Sequence, residues 1–190
     1  GQAMTEEMIL TEMQMMKEMG VNFIRLGHYQ QSRIVLDACD ELGILVWEEI
    51  PWCRGGLGGE TYKDQARRML KNMISQHYNH PSVIIWGLGN ENDWPGDFEE
   101  FEEDQIRSFM KELNEISHDL DPTRKTAIRR CDFCKDIVDV YSPSIWAGWY
   151  RGKYTDYQEV SRSNMEEVDH YLHVEWGASN HALRHSENPD

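Results

Sequence analysis

The chain has 190 residues, enough for one domain with a sizeable core, and its 39% hydrophobic and 28% charged residues are those of an ordinary globular protein. A formal net charge of -15 disfavours a phosphate backbone or an anionic membrane surface as partner, so neither nucleic acid nor membrane is expected. No apolar run approaches the roughly 20 residues that span a bilayer, and residue 5 onward already reads as a helix, so a signal peptide is not expected; the compartment stays open.

Residues 5–19 carry Ile9, Met13 and Met16 at helical spacing, with the methionines as core and Gly20 as a stop. Val21 to Arg25 is a short strand. Residues 32–42 place Val35, Ala38, Cys39 and Leu42 on one helical face that ends at Gly43, and Ile44-Leu45-Val46-Trp47 is the next strand, closed by Pro51. Residues 61–78 show an apolar stripe of Ala66, Met69, Leu70, Met73 and Ile74, broken before Pro81. Ser82 to Trp86 is a near-continuous apolar run, the pattern of a strand buried on both faces. Asp97 with Glu100 reads as a capping box, opening a long helix whose apolar face runs through Ile106, Phe109, Met110 and Leu113. Residues 125–128 and 137–141 read as strands, a poorly periodic helix covers about 156–168, and Tyr171-Leu172-His173-Val174 is a final strand.

Strands that alternate with helices imply β/α units and a parallel sheet. A doubly wound nucleotide binder would show a glycine-rich turn after its first strand. Arg54-Gly55-Gly56-Leu57-Gly58-Gly59 lacks that spacing and follows a later strand. Polar residues instead crowd the ends of several strands: Arg25 and His28, Glu48 and Glu49, Asn90 and Glu91, then Glu175. In a barrel those ends converge on one mouth, so the expected fold is α/β, of the (β/α)8 barrel type.

A carboxylate just beyond a buried apolar strand costs desolvation unless it is paired or used. Glu91 and Glu175 both stand there. Two facing carboxylates are the minimal apparatus for breaking a glycosidic bond: one is held protonated, by burial and a negative neighbour, to donate to the leaving oxygen, and the other stays ionised to attack. Arg25 could keep the latter charged. Salt-bridged strand ends are the plainer alternative. The lone Cys131-x-x-Cys134 lacks the second pair of a zinc site, and Cys39 and Cys53 do not supply it, so free thiols and no metal or cofactor are expected. His77 and His80 read as packing and capping residues.

His77-Tyr78-Asn79-His80-Pro81-Ser82, continuing through Val83-Ile84-Ile85-Trp86 to Gly87-Leu88-Gly89-Asn90-Glu91, closely resembles the signature of glycoside hydrolase family 2, which includes β-galactosidases, β-glucuronidases and β-mannosidases. Asn22-Phe23-Ile24-Arg25-Leu26-Gly27-His28-Tyr29 resembles its second-strand motif, Cys39 to Pro51 the segment around its third strand, and His173-Val174-Glu175-Trp176-Gly177-Ala178 its nucleophile strand. The resemblance implies that Glu91 is the acid/base, Glu175 the nucleophile and Asn90 a ligand of the sugar 2-hydroxyl. It further implies that Arg25 orients Glu175, while His28, Glu49, Trp146 and Trp149 line the sugar site. Trp52 and Trp94 are candidates for a cleft wall, and His181 and His185 for its rim.

Where the family often has Asn-x-Tyr, this chain has Ser144-x-Trp146, so the tyrosine hydroxyl expected at the nucleophile is missing; an indole offers only its N–H. The family barrel also has a first and an eighth strand and preceding β-sandwich domains that are not evident here. An incomplete barrel with strands two to seven, joined to further domains, is therefore expected. The implied activity is that of a retaining exo-β-glycosidase on a glycoside or oligosaccharide, with β-galactosides favoured on base rate; an endo-acting barrel enzyme and a non-catalytic carbohydrate-binding module are the alternatives.

Overall fold

The computed structural model describes residues 3–95, 98 and 101–177. Five strands, β1 (Phe23–Leu26), β2 (Leu45–Glu49), β3 (Val83–Asn90), β4 (Lys125–Arg129) and β5 (Val140–Ser142), form one parallel sheet in the order in which they occur along the chain. A doubly wound sheet reverses its strand order at a switch point. This one never does, as expected of an arc of a (β/α)8 barrel. Helix α1 (Glu6–Glu18) precedes β1, α2 (Arg33–Leu42) links β1 to β2, α3 (Glu60–His77) links β2 to β3, and α4 (Glu103–Leu120) links β3 to β4. Helix α5 (Tyr157–Met165) follows β5.

Local chemistry fixes where the helices start and stop. The Thr5 and Ser32 hydroxyls accept from the backbone N–H of Met8 and Ile34 at the entrances to α1 and α2. Gly43 ends α2 in the left-handed conformation, φ 66°. Helix α4 begins after Glu102 without a side-chain cap; the capping box expected at Asp97 and Glu100 lies outside the described residues.

The strands divide the interior into two layers. Val46, Trp86, Leu88, Ile128 and Tyr141 face outward against Leu36, Leu70, Met73, Ile106, Met110 and Leu113 of the helices. Trp47, Ile85, Ala127 and Val140 face inward with Phe23, Leu172 and Val174. The register pairs Trp47 with Ile85 and Ala127 with Val140. Two residues further along each strand the chain returns to the same face, bringing Arg25, Glu49, Gly87, Arg129 and Ser142 inward toward the strand ends. An apolar tier thus supports a polar one.

Buried polar groups of the outer layer are paired. The Glu48 carboxylate meets His77 Nδ1 at 2.7 Å and accepts from Gln31 N–H at 2.9 Å. Asp40 meets His80 Nδ1 at 2.7 Å and accepts from Ser82 N–H at 2.9 Å. His77 and His80 therefore pack against acidic partners. Burial pushes the Asp121 carboxyl up, but donors from Thr123, Arg124 and the Trp86 indole outweigh it and hold it well below the usual carboxylate range.

Three elements differ from the sequence reading. The strand expected at 137–141 starts at Val140, because Ile137 N–H closes a turn onto Cys134 C=O at 3.0 Å. The poorly periodic helix contracts to α5, preceded by a 3-10 turn at 154–156. Tyr171 to Val174 joins the sheet by a single parallel bridge between Tyr141 and Tyr171, with Tyr141 N–H on His170 C=O and Leu172 N–H on Tyr141 C=O, so five strands plus this extended segment stand where six were expected.

Gly87 is required by the inner layer: a Cβ there would lie 2.3 Å from the Trp47 indole nitrogen and 2.4 Å from Glu49 Cβ, both fully buried. Gly87→Ala is expected to cost about 1–3 kcal/mol by overpacking, read as a lower denaturant midpoint; an unchanged midpoint would show that the Trp47 indole has room to move.

Candidate active site

Arg25 leaves the end of β1 and its side chain is 6% exposed. Its Nε and Nη2 donate to the two oxygens of Glu49, each at 2.8 Å, a bidentate fork of the strongest kind between neighbouring strands. Nη2 also reaches Asn90 Oδ1 at 2.6 Å, and Nη1 donates to Glu175 Oε2 at 2.9 Å. Glu49 is fully buried and accepts in addition from the Trp47 indole at 2.9 Å; His28 Nδ1 lies 2.9 Å from it. Burial pulls the Arg25 pKa down, but Glu49 and Glu175 more than reverse it and the guanidinium stays charged.

Glu91 follows the last residue of β3 in the left-handed conformation, φ 53°. The chain is pinned there from both sides: Asn90 N–H donates to Trp52 C=O at 2.9 Å, Arg54 N–H to Asn90 C=O at 2.7 Å, and Glu91 N–H to Arg129 C=O at 2.9 Å. Gly89 permits the turn, since a Cβ would stand 2.2 Å from Asn92 Oδ1.

Arg129, fully buried at the end of β4, reaches both acids. Its Nη1 lies 2.7 Å from Glu91 Oε1 and its Nη2 2.8 Å from Glu175 Oε1. Both contacts are charge pairs at hydrogen-bonding distance, and the one to Glu91 acts on that carboxyl as a hydrogen bond and as a charge. Because one rigid fork touches both, the two oxygens are no more than about 8 Å apart. Arg130 adds a contact at 3.3 Å to Glu91 and one at 3.2 Å to Asp93. Burial pushes the Glu91 carboxyl up, but Arg129 and then Arg130 overcome it and hold it below its ordinary value. The sequence reading required a carboxyl raised by burial and a negative neighbour. The intervening guanidinium reverses the sign, because the neighbour that Glu91 meets first is a cation.

His173 sits two residues before Glu175. Its Nδ1 meets the Tyr157 hydroxyl, its Nε2 is buried without a partner, and burial, then the nearby Arg129, push its pKa down.

The rim is an alternating stack of cations and rings. Arg130 lies 4.9 Å from the Trp94 ring centroid and 5.2 Å from that of Trp146; Arg54 covers Trp94 at 5.6 Å and Arg151 covers Trp146 at 5.2 Å. Trp146 is thus a neighbour of Glu91's partner Arg130 and makes no hydrogen bond to Glu175 among the described residues. Trp149 stacks on Tyr150 at 4.6 Å. Trp52 is 1% exposed with its indole donating to Gly56 C=O at 2.7 Å, and it lines an apolar pocket with Ile50, Tyr62, Ala66 and Met69. His181 and His185 lie outside the described residues.

The structure therefore brings Arg25, His28, Glu49, Asn90, Glu91 and Glu175 into one network. Sequence reasoning missed Arg129, Arg130, Asp93 and the Trp47 donor. The signal for Arg129 was present: it ends the apolar run Ala127-Ile128, where a charge is as costly as the carboxylates singled out on the same ground. All four cysteines are free thiols. Among the described residues, the one cluster with metal-like spacing is Asp37, Asp40 and His80, where Asp40 is already engaged by His80 and Ser82.

Parallel strands in chain order, with acids and arginines gathered at their C-terminal ends, define a β/α-barrel of the kind that carries its chemistry at one mouth. Residues 1–181 match the model of the glycosyl hydrolases family 2 TIM barrel domain, and the chain belongs to that family. Across all 190 residues it is 53% identical to 23% of a Formosa agariphila protein named "Putative beta-glucuronidase". The crystal structure of Parabacteroides merdae β-glucuronidase superposes with a TM-score of 0.96 at 73% identity, over 99% of this chain and 24% of that one. A β-galactosidase of Thermoanaerobacterium thermosulfurigenes is 37% identical over 126 residues, 66% of this chain and 16% of that protein. The chain thus spans about a quarter or less of the length of each.

Arg25→Met leaves the buried Glu49 without its bidentate partner and is expected to cost about 3–5 kcal/mol. Arg25→Met with Glu49→Leu should recover part of that loss. Urea titration of the single and double variants checks both, and a double variant no better than the single would mean that Glu49 is compensated by Trp47 and His28 alone.

Proposed function

We propose that this chain forms the catalytic part of a retaining exo-β-glycosidase and that its substrate is a terminal β-linked uronide. Glu175 attacks the anomeric carbon; the bond to the leaving oxygen breaks as Glu91 gives that oxygen its proton. Water, deprotonated by the now ionised Glu91, then attacks the same carbon and frees Glu175. Asn90, held by Arg25, is offered to the sugar 2-hydroxyl, and His28 borders the sugar, while Glu49, fully buried, holds Arg25 from behind rather than lining the sugar site.

The observation that carries the reading is the single guanidinium in contact with both carboxylates, which gathers them from distant parts of the chain at one mouth; the retaining outcome is taken from the family. A uronide takes precedence over the β-galactoside expected from the sequence for two reasons. The more similar relatives are named β-glucuronidases. The rim also carries Arg54 and Arg151, exposed cations over Trp94 and Trp146 in a chain whose formal net charge is -15, and these suit a sugar carboxylate. The β-galactosidase relatives keep a neutral β-galactoside as the second reading.

Aryl β-glucuronide, β-galacturonide, β-galactoside and β-mannoside assayed side by side with the full-length chain separate these. A β-uronide is expected to lead in kcat/KM by at least about tenfold, equivalent to the roughly 1.4 kcal/mol of one modest charge contact. A lead for the galactoside would return the assignment to the earlier expectation. A 2-fluoro-uronide inactivator is expected to label Glu175, and Glu91→Gln to lose about 100-fold or more on substrates with poor leaving groups. Labelling elsewhere would remove Glu175 from the nucleophile role.

A further inference from the structure

We propose that Arg129 is a positioning residue of this site: its guanidinium, forked between Glu91 and Glu175, holds the two carboxylates facing one another and is the counter-ion of Glu91 when that residue acts as the base. The proposal rests on the glycosidase reading above.

A fully buried guanidinium cannot shed its proton, and burying it costs several kcal/mol unless anions answer it. For Arg129 the answering anions are Glu91 at 2.7 Å and Glu175 at 2.8 Å. Two carboxylates brought that close repel one another. A cation between them offsets the repulsion and tethers each carboxylate to the same guanidinium. The groups that face Glu91 come from four places. Arg129 ends β4 and Arg130 follows it; Asp93, on Glu91's own loop, shares Arg130; Cys53 approaches from the loop after β2; Glu175 stands across Arg129. Arg130 is farther, at 3.3 Å, and 20% exposed, so solvent screens it more than the fully buried Arg129.

The chemistry gives this arrangement a direction. The first step needs Glu91 protonated, and Arg129 opposes that: burial raises the Glu91 carboxyl and Arg129 more than undoes it. Once Glu175 has become a glycosyl ester it carries no charge. The negative neighbour across the fork is gone, Arg129 faces Glu91 alone, and the ionised form that the second step uses as a base is favoured. The same cation that restrains the acid in the first half-reaction sustains the base in the second.

The test uses the full-length chain with Arg129→Gln and Arg129→Lys. In Arg129→Gln the high-pH limb of kcat/KM is expected to move to higher pH, because Glu91 keeps its proton longer, and the glycosyl-enzyme is expected to accumulate as a burst with an activated aryl glycoside. Arg129→Lys, which keeps a charge, should retain the parent limb. A uniform fall in rate at all pH values, with the limb unmoved and no burst, overturns the proposal and leaves Arg129 a purely structural residue. Should Arg129→Gln not fold, a carbon-13 carboxyl titration of the parent, with Glu91 assigned by Glu91→Gln, decides it. Titration of Glu91 below the ordinary carboxylate range supports the hold of Arg129, and titration at or above that range sinks it. A parent that turns over no β-glycoside while Glu91 still titrates low would instead sink the glycosidase reading alone.

Discussion

The structure depends on how five strands dispose of two buried guanidiniums. Arg25 and Arg129 point into the sheet's concave side, where neither water nor backbone can neutralise them, and each is answered by carboxylates from other strands or from the segment after the last. Glu49, Glu91 and Glu175 are fixed relative to one another because they share these two cations. Breaking any one contact leaves a charge stranded in a poorly solvated place, so the geometry is held by the cost of disruption more than by the strength of any pair.

That constraint explains the tiers beneath. Glu49 has a place because Trp47, directly below it on the same strand face, donates its indole N–H upward, and Trp47 has room because Gly87 on the next strand has no side chain. On the outer face the same logic runs independently, with Glu48 meeting His77 and Asp121 meeting Trp86 and Arg124. Alternation along β2 thus sends adjacent glutamates to opposite sides, one to the helix packing and one to the site.

The barrel class was legible because period-two and period-3.6 patterns alternate along the chain and polar residues gather at the strand ends. Glu91, Glu175 and Arg25 stood out for the same reason, a charge abutting an apolar run, and the structure does bring them together. Arg129 obeys that rule equally, but the run before it, Ala127-Ile128, is short and marks its strand only weakly. The sign of the Glu91 environment depends on which group is nearest in space, and local pattern cannot tell whether that is Arg129 or Glu175, both distant in the chain. The short β5 and the single bridge at Tyr171 were poorly legible because their extent is set by pairing with a distant strand, not by their own composition. For Trp52, a backbone carbonyl in a glycine-rich loop claims the indole N–H, and sequence does not reveal such carbonyls.

The bend just after β4 carries a wider implication. Arg130 and Cys131 are consecutive non-glycine residues with positive φ, 53° and 111°, anchored by Arg130 N–H on Ser142 C=O and by Cys134 N–H on Cys131 C=O. Each such residue stores about 1–3 kcal/mol, and glycine would relieve it. The chain keeps bulkier residues there, and the contorted path aims the Arg130 head between two indoles. Side chains at this corner can therefore be exchanged on a contour already set, whereas reshaping the contour would first have to dismantle its anchors.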